Sequence, residues 1–130
     1  MECADIASIH LVLSERTEGL IDAETLARMR PDASLVNTSR GPIVDRDALL
    51  SALRARTLGC AALDVFEEEP LPANSPWRDP ELIAEGRLIL TPHIGYGARA
   101  TYAQMYRETA ECVRAFADGA PIRNLRGRGW

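Results

Sequence analysis

Short apolar runs alternate with segments of helical periodicity along the chain, and this alternation constrains the fold more than any other feature of the sequence. The apolar runs are short and rich in β-branched residues, which indicates strands rather than helices. The sequence predicts four strands. The first lies in the apolar run Ile6–Leu13 and ends near His10, and the others are Ala33–Asn37, Gly59–Val65 and Arg87–Thr91. Strands that alternate with helices are typical of βαβ units, so we expect an α/β fold with a parallel sheet.

Helix caps and apolar spacing predict the segments between and after these strands. Four helices are predicted: Asp22–Met29, a helix capped by Asp45 or Asp47 that ends before Gly59, Pro80–Glu85, and Arg99–Asp118. In the last of them, large apolar residues recur at helical spacing, which predicts a stripe that is buried against another layer. The stripe consists of Tyr102, Met105, Tyr106, Thr109, Cys112, Val113 and Phe116.

The strands also indicate how the sheet is covered and where a ligand binds. Nearly continuous apolar strands predict burial on both faces of the sheet. A length of 130 residues suits a single domain, which we expect to be a partial doubly wound parallel sheet. In open α/β sheets, ligands bind beyond the carboxyl ends of the strands. Polar residues follow three of the predicted strands, so the sequence predicts a site at that edge.

Charge and cysteine content exclude several classes of protein. Acidic residues outnumber lysine and arginine by 19 to 15, so a nucleic-acid partner is not expected. The one basic segment, residues 123–128, is interpreted as a solvated terminus. Cys3, Cys60 and Cys112 do not suit a disulfide framework or a zinc site, and no other metal site is predicted. Without a signal peptide or an apolar run of about 18 residues, we expect a cytoplasmic protein with no membrane partner.

Two residues that follow strands are candidates for acid-base chemistry on a small anionic substrate. Arg40 precedes the turn at Gly41, and its planar guanidinium suits bidentate binding of a carboxylate. His93 follows the fourth strand, and histidine is the commonest general acid or base. Taken singly, each has an ordinary alternative, namely a surface arginine in a turn and a hydrogen-bonded structural histidine. His10 is the weaker candidate because no partner motif accompanies it.

Two carboxylates complete the candidate set. Glu69 ends the run Glu67–Glu69, and such runs are usually solvated acidic turns. Its interest lies in its position, because a carboxylate beside an imidazole favours the charged form of the ring and orients it. Asp64 is the one charge in an apolar strand. Buried carboxylates seldom lack a partner, so Asp64 either pairs internally or faces a ligand amide.

Together, three segments of the chain resemble the signatures of the D-isomer-specific 2-hydroxyacid dehydrogenases. The segments are Asn37–Asp45, Ala62–Phe66 followed by Glu69-Pro70-Leu71, and Thr91–Gly95. The spacing among Arg40, Glu69 and His93 is also similar to that of the family, and the resemblance extends from about residue 5 to residue 124. It implies that residues 1–98 are the second half of a Rossmann-type NAD(P)-binding domain. It also implies that residues 99–130 form a long helix and tail that return to a substrate domain.

The resemblance implies an oxidoreductase that transfers hydride between NAD or NADP, with NAD favoured, and a small 2-oxo or D-2-hydroxy acid. Arg40 would bind the substrate carboxylate and carbonyl, and His93 would exchange a proton with the carbonyl oxygen. Glu69 would hold His93 and keep it protonated, while Asp64 and the main chain of Thr38 would orient the nicotinamide carboxamide. The implied cofactor-binding set is Thr38, Ser39, Arg40, Asp64, His93, Ile94, Gly95 and Tyr96. The family also implies a homodimeric parent enzyme.

The chain departs from the family pattern in two respects. Tyr96 stands where the family usually has a small residue, which changes the pocket wall. No G-x-G-x-x-G occurs in the sequence, and the family carries this phosphate-binding turn further upstream. We therefore interpret the chain as part of a longer enzyme, inactive by itself, with exposed apolar surface on the first strand and on residues 99–118. The alternatives are a non-catalytic half-domain that acts as an interaction or regulatory module, and an unrelated sheet protein with coincidental motifs.

Overall fold

The computed structural model describes residues 2–123, and the chain divides into two units, Met1–Ile94 and Gly95–Trp130. Within the described residues, the first unit contains four strands and three helices in alternation. They are β1 (Ile6–Ile9), α1 (Ala23–Ala27), β2 (Ser34–Asn37), α2 (Arg46–Arg54), β3 (Cys60–Leu63), α3 (Pro80–Ala84) and β4 (Leu88–Leu90). A 3-10 turn at Gly41–Ile43 lies between β2 and α2, and the second unit contains α4 (Arg99–Ala117).

The four strands form one parallel sheet in the order β1-β2-β3-β4, which confirms the predicted α/β fold class. Ile9, Asn37, Leu63 and Leu90 pair in register across the sheet, so the residues that follow them emerge at one edge. The strands are shorter than predicted because pairing stops where the chain turns. Asp64 therefore lies one residue beyond β3 rather than inside it.

The core lies on one face of this sheet. Alternate strand residues on that face are buried together with the inward residues of α1, α2 and α3. The buried set includes Leu26, Leu35, Leu49, Leu53, Ala61, Leu63, Leu82 and Leu88. On the opposite face, Ile6 and Ile89 are exposed, and Val36 is only half-buried. The prediction that both faces are buried is therefore wrong for the described residues, because the helical layer of this unit packs on one face.

An aspartate begins each of the three helices in the first unit. The carboxylates of Asp22, Asp45 and Asp79 accept hydrogen bonds from main-chain N–H groups of the first turn. These N–H groups have no partner within the helix, so the carboxylates stabilise its amino end. Of the two candidate caps for α2, the structure uses Asp45. Asp47 instead pairs with Arg46 at 2.9 Å.

The second unit is a long amphipathic helix whose apolar stripe is exposed. No residue of α4 is buried, and the side chains of Tyr106 and Phe116 are 73% and 76% exposed. The prediction of a buried stripe is wrong, because helical spacing identifies residues that share a face but not the layer that covers that face. The predicted exposure of apolar surface on residues 99–118 and on the first strand, at Ile6, is confirmed. Residues 124–128 of the predicted basic terminus lie outside the described residues.

Across the described residues 2–123, no helix combines the length and apolar character needed to cross a bilayer. The longest, α4, has 19 residues, but charged side chains recur throughout its length. An 18-residue membrane span tolerates few such charges because their desolvation is costly.

Arg87 joins β4 to the connection between α2 and β3. Its guanidinium donates to the carbonyl oxygens of Leu53, Leu58 and Gly59 at 2.5, 2.7 and 3.1 Å. Lysine cannot present this planar fork of donors, so Arg87→Lys is expected to lower the free energy of unfolding by about 2 kcal/mol in urea titrations. Arg56→Lys is the control, because Arg56 is exposed and makes a single ion pair. An Arg87→Lys loss no larger than that of the control contradicts this role.

Candidate active site

The turn after β2 carries Thr38, Ser39 and Arg40 and is shaped by the buried side chain of Asn37. The Asn37 amide nitrogen donates to the Arg40 carbonyl oxygen at 2.9 Å, and the Asn37 amide oxygen accepts from the Ser39 N–H at 3.0 Å. The Ser39 hydroxyl donates to the carbonyl oxygen of Ile9 in β1 at 2.7 Å. Sequence reasoning missed Asn37, although a polar residue that ends an apolar strand is a usable signal.

Gly41 brings this turn against the loop that follows β3. A Cβ atom at Gly41 would lie 2.2 Å from the carbonyl carbon of Phe66 and 2.6 Å from the amide nitrogen of Glu67. Only glycine, which has no Cβ, permits so close an approach of two backbones. The Arg40 guanidinium donates to the Ser39 carbonyl oxygen at 2.6 Å. Arg40 is thereby placed beside the loop that carries Glu69.

Asp64 is a buried carboxylate that joins the ends of β3 and β4. Its Oδ1 accepts from the Thr91 hydroxyl at 2.5 Å and from the Ile94 N–H at 2.9 Å. Only 4% of Asp64 is exposed, and these charge-assisted hydrogen bonds offset the cost of burying the carboxylate. Asp64 thus pairs internally through Oδ1, and its role toward a ligand amide stays a prediction. Thr91 is a further residue that sequence reasoning missed, and its hydroxyl one residue beyond β4 is the available signal.

Glu69 and His93 form a hydrogen-bonded pair at the same edge of the sheet. Glu69 Oε2 lies 2.6 Å from His93 Nδ1, and Glu69 Oε1 accepts from the Phe66 N–H at 2.9 Å. An ionised carboxylate only accepts hydrogen bonds, so His93 Nδ1 carries the proton and Nε2 is the ring nitrogen that Glu69 does not contact. The backbone of His93 is left-handed, with a φ of 54°, and this uncommon conformation is concentrated at functional sites.

The neighbours of Glu69 lower its pKa. Partial burial alone raises the pKa of this carboxyl, but the hydrogen bonds from His93 and from the Phe66 N–H outweigh that effect. The charges of His93 and Arg40 act in the same direction as these hydrogen bonds. Glu69 is therefore ionised at neutral pH, in contact with His93 and within the electrostatic influence of Arg40.

A cavity of about 670 Å³ opens beside this pair. Glu69 and His93 form part of its wall, and the cationic residue Arg78 also lines it. The remaining lining residues are Phe66, Pro70, Leu71, Leu90, Thr91 and Pro92. A mainly apolar cavity with a few polar groups suits a small organic ligand, and the cation favours an anionic one.

The lowered pKa of Glu69 makes stability depend on pH in a defined direction. A carboxyl whose pKa is lower in the folded than in the unfolded chain stabilises the fold above about pH 4, and this contribution is lost as the pH falls through the lowered value. Glu69→Gln keeps an acceptor for the Phe66 N–H but removes the titrating group. In urea unfolding, we expect the stability difference between wild type and Glu69→Gln to shrink between about pH 5 and pH 3. If the stability difference between wild type and Glu69→Gln stays constant over this pH range, ionised Glu69 does not stabilise the fold.

The sequence profile of the family described as "D-isomer specific 2-hydroxyacid dehydrogenase, NAD binding domain" matches residues 1–95. The chain belongs to the D-isomer-specific 2-hydroxyacid dehydrogenase family. The matched region includes the turn that carries Arg40, the Asp64 carboxylate and the pair formed by Glu69 and His93. The family resemblance drawn from the three sequence segments is therefore confirmed.

Relatives of this family member are much longer than the chain itself. A glyoxylate reductase from Aeropyrum pernix is 46% identical over 125 residues, which cover 96% of the chain and 36% of the relative. Among solved structures, D-lactate dehydrogenase with NAD+ from Lactobacillus jensenii is 30% identical with a TM-score of 0.83, covering 98% of the chain and 41% of that protein. A family member from Xanthobacter autotrophicus Py2 in complex with NADPH and MES is 37% identical with a TM-score of 0.68. The match covers 93% of the chain and 37% of that protein. The chain thus spans about a third of the length of its curated relatives.

The structure divides the predicted site residues of this chain between the two units. Those in the first unit lie on the segments that follow β2, β3 and β4: Thr38, Ser39, Arg40, Asp64, Glu69, His93 and Ile94. Gly95 and Tyr96 belong to the second unit. There the Tyr96 ring packs edge-on against Tyr102, with ring centroids 6.0 Å apart. The catalytic and cofactor-binding roles of all these residues stay predictions.

Proposed function

We propose that the chain is the carboxyl-terminal part of a NAD(P)-dependent D-2-hydroxyacid dehydrogenase, which reversibly reduces a small 2-oxo acid to the D-2-hydroxy acid. The observation that carries this proposal is the 2.6 Å contact between Glu69 and His93, beside the turn of Arg40, in a chain of this family. In the proposed enzyme, residues 1–98 form the second half of the NAD(P)-binding domain. Residues 99–130 return to the substrate domain.

His93 is the proposed proton donor and acceptor. With Nδ1 hydrogen-bonded to Glu69, Nε2 gives a proton to the substrate carbonyl oxygen during reduction and takes it back during oxidation. The Glu69 carboxylate fixes the ring and stabilises the imidazolium that precedes proton transfer. Arg40 binds the substrate carboxylate and orients the carbonyl, because its guanidinium forms two parallel hydrogen bonds to such a group.

The carboxyl edge of the sheet fits the nicotinamide end of a dinucleotide. Bound NADH or NADPH supplies the hydride. Asp64 offers a carboxylate at this edge, and the turn from Thr38 to Arg40 offers main-chain groups, which together suit a carboxamide. The remaining proposed contacts come from Ser39, His93, Ile94, Gly95 and Tyr96. The NAD-binding description of the family favours NAD, and NADP is the alternative because one solved relative holds NADPH.

The free cysteines indicate the compartment of the enzyme, and the exposed surface of α4 indicates its partner. Cys3, Cys60 and Cys112 are unpaired, which is usual in the reducing cytoplasm, so we assign the enzyme to that compartment. The exposed apolar surface of α4 suits burial against further protein, and we assign a homodimer to the complete enzyme. Its substrate is a small 2-oxo acid, for which the glyoxylate reductase relative makes glyoxylate the first choice.

The test is an activity assay on the product of the complete reading frame that contains this chain. The protein is incubated with NADH or NADPH and with glyoxylate, pyruvate or hydroxypyruvate, and loss of the reduced nicotinamide is followed by absorbance. Turnover with at least one of these acids is expected, giving glycolate from glyoxylate or the D-hydroxy acid from pyruvate or hydroxypyruvate. Failure with every 2-oxo acid tried contradicts the proposal and favours the non-catalytic interaction module.

The 130-residue chain by itself is expected to bind NADH weakly and to show no turnover. The sequence has no G-x-G-x-x-G, and this turn, at a helix amino terminus, provides much of the affinity for the pyrophosphate. Calorimetric titration of the chain with NADH measures the affinity directly. A dissociation constant of about 1 μM would contradict this expectation, because the residues of this chain would then suffice for cofactor binding.

A further inference from the structure

The catalytic arrangement depends on a carboxylate that sits in a long loop. Glu69 lies in the segment between β3 and α3, and its side chain is 35% exposed. Loops of this length sample many conformations unless side chains tie them down. The 2.6 Å contact between Glu69 and His93 therefore requires fixed points on the loop.

Trp77 provides a fixed point on the amino-terminal side of Glu69. The indole is 3% exposed, and its Nε1–H donates to Glu67 Oε2 at 2.9 Å. The indole ring also packs against the Phe66 ring, with centroids 6.4 Å apart and planes tilted by 59°. Phe66 in turn donates its N–H to Glu69 Oε1. Trp77 thus holds the two residues that begin the turn on which the Glu69 carboxylate depends.

Arg78 provides a fixed point on the carboxyl-terminal side. Its Nε donates to the Pro72 carbonyl oxygen at 2.8 Å, and its Nη2 donates to the Leu71 carbonyl oxygen at 2.9 Å. Two hydrogen bonds from one planar guanidinium fix the direction of the chain as well as its distance. The consecutive residues Trp77 and Arg78, called here the loop anchor, therefore hold the segment on both sides of Glu69.

We propose that the loop anchor is a positioning element for proton transfer: Trp77 and Arg78 keep the Glu69 carboxylate against His93 Nδ1. The proposal deepens the dehydrogenase function proposed above and rests on it for its catalytic meaning. Neither residue touches the reacting atoms in this role. Their effect reaches His93 through Glu69, which selects Nδ1 as the proton-bearing ring nitrogen.

The experiment reads the tautomer of His93 in the 130-residue chain by ¹⁵N NMR of the imidazole rings. Spectra are recorded at about pH 8.5, where an ordinary imidazole is neutral. An imidazole in water prefers the Nε2–H form, whereas a carboxylate at Nδ1 selects the Nδ1–H form. The chain contains two histidines, so His10, which bonds the Ser8 hydroxyl at 2.8 Å, serves as an internal reference. The variants are Arg78→Lys, which loses the planar guanidinium and its two parallel hydrogen bonds, and Trp77→Phe, which keeps an aromatic ring but loses the indole N–H.

The Nδ1–H form is expected to dominate at His93 in the wild type, and its share is expected to fall by at least about twofold in Arg78→Lys and in Trp77→Phe. Arg30→Lys is the matched control, since Arg30 is also exposed and pairs with two residues, Asp5 and Asp32. It is expected to leave the His93 spectrum unchanged. Arg78 is exposed, so Arg78→Lys decides the outcome even if Trp77→Phe does not fold.

The positioning role is overturned if the share of the Nδ1–H form at His93 is as high in Arg78→Lys as in the wild type. It is also overturned if this share falls as much in the Arg30→Lys control as in Arg78→Lys. The readout is independent of turnover. A tautomer change in a protein that reduces no 2-oxo acid therefore supports the anchor while contradicting the proposed function. If the complete enzyme is active but the His93 tautomer in Arg78→Lys is the same as in the wild type, the proposed function is supported and the loop anchor is contradicted.

Discussion

His93→Gln is expected to reduce 2-oxo acids about 1,000-fold more slowly than the wild type in the complete enzyme. Glutamine can hydrogen-bond to Glu69 but cannot give a proton to the substrate carbonyl oxygen or take one from the hydroxyl group. In the proposed mechanism Arg40 binds the substrate carboxylate independently of His93, so KM is expected to change little and the loss to fall on kcat. Steady-state rates of NADH oxidation over a range of 2-oxo acid concentrations measure both quantities.

His10 offers the matched comparison, because it is the one other histidine of the chain and also follows a strand. Its Nε2 contacts the Ser8 hydroxyl, whereas His93 contacts a carboxylate. His10→Gln is expected to cost much less activity than His93→Gln. A His93→Gln enzyme with nearly wild-type kcat, or equal losses in the two variants, would remove His93 from the proton-transfer step.

Gly41→Ala is expected to lower the free energy of unfolding by at least about 3 kcal/mol. The added Cβ would lie 2.2 Å from the carbonyl carbon and 2.5 Å from the carbonyl oxygen of Phe66, so two backbones must move apart. Both are held in place, one by the buried core residue Ile43 and the other by the buried ring of Phe66. The separation is also expected to move Arg40 away from Glu69. Urea unfolding of the 130-residue chain measures the stability loss.

Gly86→Ala is the control for this substitution. Gly86 has a φ of 68°, and a Cβ there meets no other atom within 4 Å. Its cost is therefore the backbone strain of alanine in the left-handed region, about 1 kcal/mol. If Gly41→Ala costs no more than Gly86→Ala, the close approach of the turn to Phe66 does not exist in solution.

Local signals in the sequence are sufficient to predict much of the architecture. Apolar runs identify the four strands, and Asp22 identifies the beginning of one helix, because both signals act over a few residues. For α2 the sequence leaves Asp45 and Asp47 as alternative caps, and only the structure distinguishes them. The parallel register then brings the strand ends to one edge, which is why residues as far apart as Arg40 and His93 can be assigned to one site. Their assignment to particular roles needed the family resemblance as well.

Contacts between distant segments are harder to predict. Asn37 and Thr91 matter through hydrogen bonds that depend on the register and on the path of the turns, so their chemistry alone does not identify them. The stripe on α4 and the open face of the sheet illustrate a different limit. Periodicity shows which residues lie together on a face, whereas coverage of that face depends on a second layer. Tyr106 and Ile89 are exposed for this reason.

Transfer of a hydrogen isotope from the nicotinamide to the product shows whether the complete enzyme passes hydride to a 2-oxo acid. The complete enzyme is given glyoxylate, pyruvate or hydroxypyruvate together with NADH that carries deuterium at both hydrogen positions of carbon 4 of the nicotinamide. Mass spectrometry and chiral chromatography then identify the product. The expected result with pyruvate or hydroxypyruvate is the D-2-hydroxy acid with one deuterium at carbon 2. A product without deuterium at carbon 2, an L-hydroxy acid, or no hydroxy acid at all would contradict the assignment.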